Sequence, residues 1–189
     1  KTGVFSTFKQ RIPWLLLLMI SATFTSMIIT NFEGYIRALA GGAVLIAFIP
    51  MLTDTGGNAG SQASVSVIRG LALGDIELRD WFRVLWKEIR VAAICGITLA
   101  SCNFVKLLLI DRMLLHNYDV TPLIALIVCL TLLAAVLIAK IVGCLLPLLA
   151  KRLGFDPAVM ASPFITTIVD ALALLAYFGI SLLVLSPII

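Results

Sequence analysis

An all-helical, polytopic membrane protein is the fold class that this sequence predicts, and three observations carry the prediction. Of 189 residues, 61% are hydrophobic and 13% charged, against roughly half apolar and a quarter charged in a soluble domain. The mean hydropathy is +1.13. Long runs with almost no charge recur, each near the ~18 or more residues that cross a hydrocarbon core ~30 Å thick. Lysine and arginine gather in only some of the intervening segments, as they do on the cytoplasmic side of membrane proteins.

Taken in order, residues 1–14, KTGVFSTFKQRIPW, lack a short apolar core with a cleavage site, so no signal peptide is expected. They read as the tail of a longer cytoplasmic element, with residues 1–12 belonging to it. Four spans are clear: residues 12–32; 91–105, reaching 110 past Lys106; 120–150, interrupted by Lys140; and 158–189, interrupted by Asp170. Residues 38–76 are unusual, since about 39 residues of helix would extend about 58 Å at ~1.5 Å per residue. The region is a long, tilted or broken helix, or two spans.

Charge decides between these. With one span there, Lys1, Lys9, Arg11, Arg69, Arg79, Arg83, Lys87, Arg90, Lys151 and Arg152 share one side, ten of fourteen basic residues. Arg37 and Arg112 lie opposite. Two spans would send Lys151 and Arg152 across and break the pattern. The expectation is five transmembrane helices over residues 13–189, with the N-terminus cytoplasmic and the C-terminus external. The net charge of +4 fits contact with anionic lipid head groups. No basic stripe interleaved with aromatics is present, so nucleic acid is not an expected partner.

Within the unusual region lies PMLTDTGGNAGSQAS, residues 50–64. Asp54-Thr55-Gly56 spells the signature of aspartic proteases, but that chemistry needs a β-scaffold and a second aspartate in its own context. The surroundings of Asp170, TIVDALA, do not supply one. No lysine follows a G-x-x-x-x-G frame, which excludes a phosphate loop. On a helix Asp54, Asn58 and Gln62 fall within about 80° of one another and form a polar stripe, while Gly56 and Gly60 lie on an adjacent face open to close helix approach. Pro50 and Gly56-Gly57 are expected to loosen the helix and free carbonyls towards a watery path. Packing by amides explains the glycines equally well but leaves Asp54 unexplained.

Asp156-Pro157 reads as an N-cap followed by proline at the first helical position. Fourteen residues later Asp170 lies about 21 Å along the axis at ~1.5 Å per residue, beyond the bilayer midplane. A carboxylate there costs at least ~2.5 kcal/mol on insertion scales, so it should face water or a cation. Ser162, Thr166 and Thr167 lie one and two turns earlier and complete an oxygen-rich stripe. An ion pair between Asp170 and Lys140 is the competing reading.

Carboxylates, carbonyls, amides and hydroxyls suit hard cations. Cys95, Cys102, Cys129 and Cys144 form no CxxC pair and read as packing residues, and His116 is the sole histidine. Too few carboxylates exist for a dehydrated Ca²⁺ cage. Mg²⁺ releases water reluctantly, so a wide site can hold the hydrated ion by outer-shell contacts. On a two-fold dimer axis, two Asp170 side chains would face one ion.

The pattern P-x-x-x-x-x-G-G-N-x-G-x-Q from Pro50 to Gln62, then VIRGLALGDI at 67–76 and DPAVMASPFITTIVD at 156–170, closely resembles the membrane domain of the MgtE magnesium channels, relatives of the solute-carrier 41 transporters. The resemblance covers essentially the whole chain. It implies a homodimeric, Mg²⁺-selective channel of the bacterial inner membrane, conducting down the electrochemical gradient without covalent chemistry. It implies a pore at the dimer interface between second and fifth spans, where Asp170 recognises hydrated Mg²⁺ with the carbonyls of Thr166 and Ser162. Asp54, Gly57, Asn58, Gln62 and Thr167 would line the pore, and Asp156 would sit near its cytoplasmic mouth. An N-terminal domain and a CBS pair gate the pore in that family, and neither is among these 189 residues. An ion-coupled exchanger using Asp170 as a titrating carrier site is the alternative.

Overall fold

The computed structural model describes residues 3–39 and 41–185, and for residue 10 and residues 159–163 the backbone alone. Among the described residues all regular structure is helical. Helix α1 spans Val4–Ala38, α2 Gly42–Ala47, α3 Ile49–Leu73, α4 Trp81–Lys106, α5 Pro122–Arg152 and α6 Pro157–Leu185. A 3₁₀ turn, Leu78–Asp80, leads into α4, and a π-helical segment, Leu107–Leu114, continues it. Residues 186–189, the end of the last expected span, lie outside the described residues.

Local chemistry accounts for the helix ends. Thr121 caps α5 by accepting the Ile124 N–H at 3.2 Å, with Pro122 in the first turn. Asp156 caps α6 by accepting the Ala158 N–H at 2.9 Å, just before Pro157. Gly74, at φ 78°, stops α3 in the left-handed conformation that glycine adopts without strain. Lys151 then donates to the carbonyl of Leu71 at 3.4 Å and ties the end of α5 to the end of α3. In the π-helical segment residues five apart share a face. Lys106 and Asp111 meet there at 2.9 Å, which neutralises the lysine met within the expected span.

Within the unusual region, α2 and α3 form one broken element over residues 42–73, and the break corrects the expected position of the irregularity. It falls at Gly41 and Phe48, whereas α3 is continuous through Gly56-Gly57. Pro50 sits in the first turn of α3, where its missing N–H would lack an intrahelical partner in any case. The buried Tyr177 of α6 donates its hydroxyl to the Leu45 carbonyl at 2.7 Å and pins the break to the bundle.

Helix α5 is central and touches α3, α4 and α6, while α1 leans on α6 from outside. Side-chain register gives the directions. Gly56, Gly57 and Gly60 meet Val169, Thr166 and Ile165 in descending order, so α3 and α6 are antiparallel. Gly56 faces Ala135, and Gly60 faces Ala139 and Gly143, so α3 and α5 run the same way. Gly96 abuts Leu133 while Glu88 meets Lys140, which makes α4 opposite to α5. Ser21 meets Thr167, and Phe32 stacks on Phe178 at 5.1 Å, so α1 is parallel to α6. The five long helices thus alternate in direction, and the basic clusters of α1, α4 and the α3 and α5 termini collect at one end.

Lipid tails are as apolar as leucine, so close packing rather than burial from water holds such helices together. A Cβ on Gly143 would overlap the backbone of Gly60, and one on Gly60 would lie 3.0 Å from Ile165. Four helical stretches among the described residues are long and apolar enough to cross a membrane: Val4–Ala38, Leu78–Leu114, Pro122–Arg152 and Phe164–Leu185. The 25-residue α3 is long enough but too rich in small and polar residues to join them. Of the cysteines expected to pack the core, Cys129 and Cys144 are buried, but Cys102 is exposed on the outer face of α4.

Candidate functional site

Helix α3 carries two chemistries on two faces. Its glycines, Gly56, Gly57 and Gly60, are buried against α5 and α6. Asp54, Asn58 and Gln62 occupy an exposed face, and Asn58 donates its amide to Asp54 Oδ2 at 3.2 Å across one turn. The stripe read from the 3.6-residue period is therefore present, and the glycine face is what seats it beside α6.

On α6 that packing fixes the partners. A Cβ at Gly57 would lie 3.8 Å from the Thr166 methyl, and one at Gly56 would lie 3.1 Å from Val169. Asp170, the next residue, is half-buried, one residue from this contact, as Asp54 is two residues from it on the antiparallel α3. Asp54, Asn58, Gly57, Thr166 and Asp170 are thus gathered along one α3–α6 seam. Thr167 points elsewhere, its hydroxyl 2.9 Å from Ser21 of α1. Gln62 lies further along α3 and shares a 460 Å³ crevice with Asn58, Thr98 and Lys140, between α3, α4 and α5. Asp156 stands at the far end of α6, where it serves as the cap. The side chain of Ser162 lies outside the described residues.

Lys140 does not pair with Asp170. It faces Glu88 of α4 at 3.9 Å, with the two side chains only 7% and 12% exposed. Composition alone does not place Glu88 in the bundle, because the charge-free run begins only at residue 91. Extending the helix back through WFRVLWKEIR would have placed it one face from the bundle interior. Tyr177 was equally silent in sequence, being one aromatic among many apolar residues.

Chemically, the seam offers two carboxylates, an amide and a threonine oxygen, all hard donors and no thiol or imidazole. Among the described residues no group of three or more acidic, histidine or cysteine side chains is arranged to hold a metal. The chain therefore presents negative charge and polar oxygens on an open face rather than a closed cage.

Residues 49–180 match the MgtE family model, described as a divalent cation transporter. The chain is 35% identical over its full length to the magnesium transporter MgtE of Thermus thermophilus, covering 39% of that protein. It is 30% identical over 91% of its length to the Enterococcus faecalis magnesium transporter MgtE and 29% identical over 91% to that of Bacillus subtilis, covering 36% of each. The chain thus spans less than two-fifths of the length of these relatives. The matched segment runs from the start of α3 through most of α6 and contains the whole seam, and by this match the chain belongs to the MgtE family of divalent cation transporters.

Proposed function

We propose that this chain is the membrane part of a Mg²⁺ channel, passing the hydrated ion down its electrochemical gradient through a pore formed with a second copy. The observation that carries the reading is the packing of Gly56 on Val169 between antiparallel helices, which sets exposed Asp54 and half-buried Asp170 two residues and one residue from that contact on one seam. Two like charges at membrane depth repel and are poorly solvated, and a divalent cation relieves both conditions at once. Family membership and the name magnesium transporter borne by three relatives support Mg²⁺ as the cargo.

In this reading all five long helices cross the membrane, α3 included, because its polar face meets a pore and not lipid. The N-terminus is cytoplasmic, in keeping with the basic end of the bundle, and the C-terminus is external. A two-fold axis beside the α3–α6 seam brings two Asp170 and two Asp54 side chains around one path. The carbonyls of Ser162 and Thr166, with Asn58, Gln62 and Gly57, complete an oxygen-lined passage, and Asp156 marks its inner mouth. Held by outer-shell contacts, Mg²⁺ keeps most of its waters. Residues 4–12 are the first turns of α1 itself, so a regulatory element joined ahead of them would act on the bundle through one helix.

The test is Mg²⁺ entry into liposomes holding the chain, with and without an imposed H⁺ or Na⁺ gradient, for the parent and Asp170→Asn. Entry driven by the Mg²⁺ gradient alone and lost in Asp170→Asn is the expected outcome. Dependence on an opposing ion gradient assigns an exchanger instead, and undiminished entry in Asp170→Asn removes Asp170 from the site.

A further inference from the structure

On the side of the bundle away from the α3–α6 seam, a 360 Å³ groove lies between the start of α4 and the end of α5. Its walls are Leu78, Trp81, Leu145, Leu148 and Leu149, and its single charge is Arg152. From the structure we infer that this groove is a binding site for an anionic glycerophospholipid, with an acyl chain along the leucines and the phosphate on Arg152.

Three features favour that occupant. Leu145 to Arg152 covers two turns of α5, or about 10 Å at ~1.5 Å per residue, so the apolar wall runs lengthwise and ends at the charge. Trp81, half exposed, stands at the helix start beside exposed Leu78 and Phe82, where amphipathic rings seat at the head-group level. The third feature is the state of the neighbouring cations. Lys151 is engaged with the Leu71 carbonyl and Arg79 with Glu77 at 2.9 Å, whereas Arg152 has no hydrogen bond or ion pair among the described residues. A guanidinium at the mouth of an apolar groove matches a phosphodiester above an acyl chain, since its planar fork binds phosphate oxygens in pairs.

Trp81 reports occupancy directly. In a Trp14→Phe, Trp86→Phe background, the chain is reconstituted in phosphatidylcholine with increasing fractions of acyl-brominated phosphatidylglycerol or acyl-brominated phosphatidylcholine, and quenching is measured. Brominated phosphatidylglycerol should show about a fivefold higher relative affinity, the ratio equivalent to the ~1 kcal/mol that one basic side chain contributes at an anionic surface. Arg152→Gln should bring the two lipids to parity, and Arg152→Lys should keep part of the preference. Leu149→Glu, which places a carboxylate in the groove, should reverse it. Equal quenching by both lipids in the parent, or a preference that survives Arg152→Gln, overturns the site. The readout does not involve ion flux, so it stands or falls independently of the channel reading.

Discussion

Two of the charged pairs among the described helices are built on opposite principles. Lys140 and Glu88 bring opposite signs together between α5 and α4, both nearly buried. Asp54 and Asp170 carry the same sign along the seam between α3 and α6, the one exposed and the other half-buried. The first pair neutralises itself and needs nothing from outside. The second pair forms no ion pair among the described residues, and in the proposed channel a cation supplies the missing charge. Charge thus joins helices in the first case and, in the channel proposed above, meets the ion in the second.

The largest effect is expected from breaking the self-sufficient pair. Lys140→Met leaves Glu88 buried without its partner and should lower stability by about 3–5 kcal/mol, whereas Lys140→Met with Glu88→Leu should recover most of that loss. Unfolding in detergent of the two single variants and the double variant measures the coupling. A double variant no more stable than Lys140→Met would show that the two charges do not act on each other.

Asp170→Asn should act in the other sense, cutting Mg²⁺ flux by at least about tenfold, or ~1.4 kcal/mol, while leaving stability unchanged or raised, because a like-charge repulsion is removed. Asp54→Asn should reduce flux less, by a few-fold, since Asp54 is exposed and already engaged by Asn58. A larger loss from Asp54→Asn than from Asp170→Asn would reverse the ranking of the two carboxylates. The smallest effect belongs to Thr167→Val. It removes the hydroxyl contact with Ser21 and should cost on the order of 0.6 kcal/mol, the average for interhelical hydrogen bonds in membranes. Flux close to the parent's in Thr167→Val would count against a pore-lining part for this residue.

Much of the site could be read from residue spacing. The i, i+4, i+8 placement of Asp54, Asn58 and Gln62 foretold one exposed face, and the Asp54–Asn58 hydrogen bond follows from it. Asp156-Pro157 foretold the start of α6, because capping depends on a few adjacent atoms. Glycine was harder to interpret. Gly56-Gly57 reads as a weak point, yet the missing Cβ atoms allow α5 and α6 to come close, and the helix runs unbroken through them. The irregularity settled instead at Phe48, where the first turn of α3 accepts a proline and Tyr177 supplies a donor from another helix.

By itself, then, the sequence determined the helical membrane class, the helix ends and the polar stripe of α3, since each follows from composition or from contacts within a turn or two. The tertiary structure alone decided the partners. Whether Lys140 met Asp170 or Glu88, and whether Asp54 and Asp170 shared one seam, depended on the register of α3 and α4 against α5 and α6. That register is set by small residues such as Gly60, Gly96 and Gly143, which let distant backbones touch, and no local pattern records which backbones those will be.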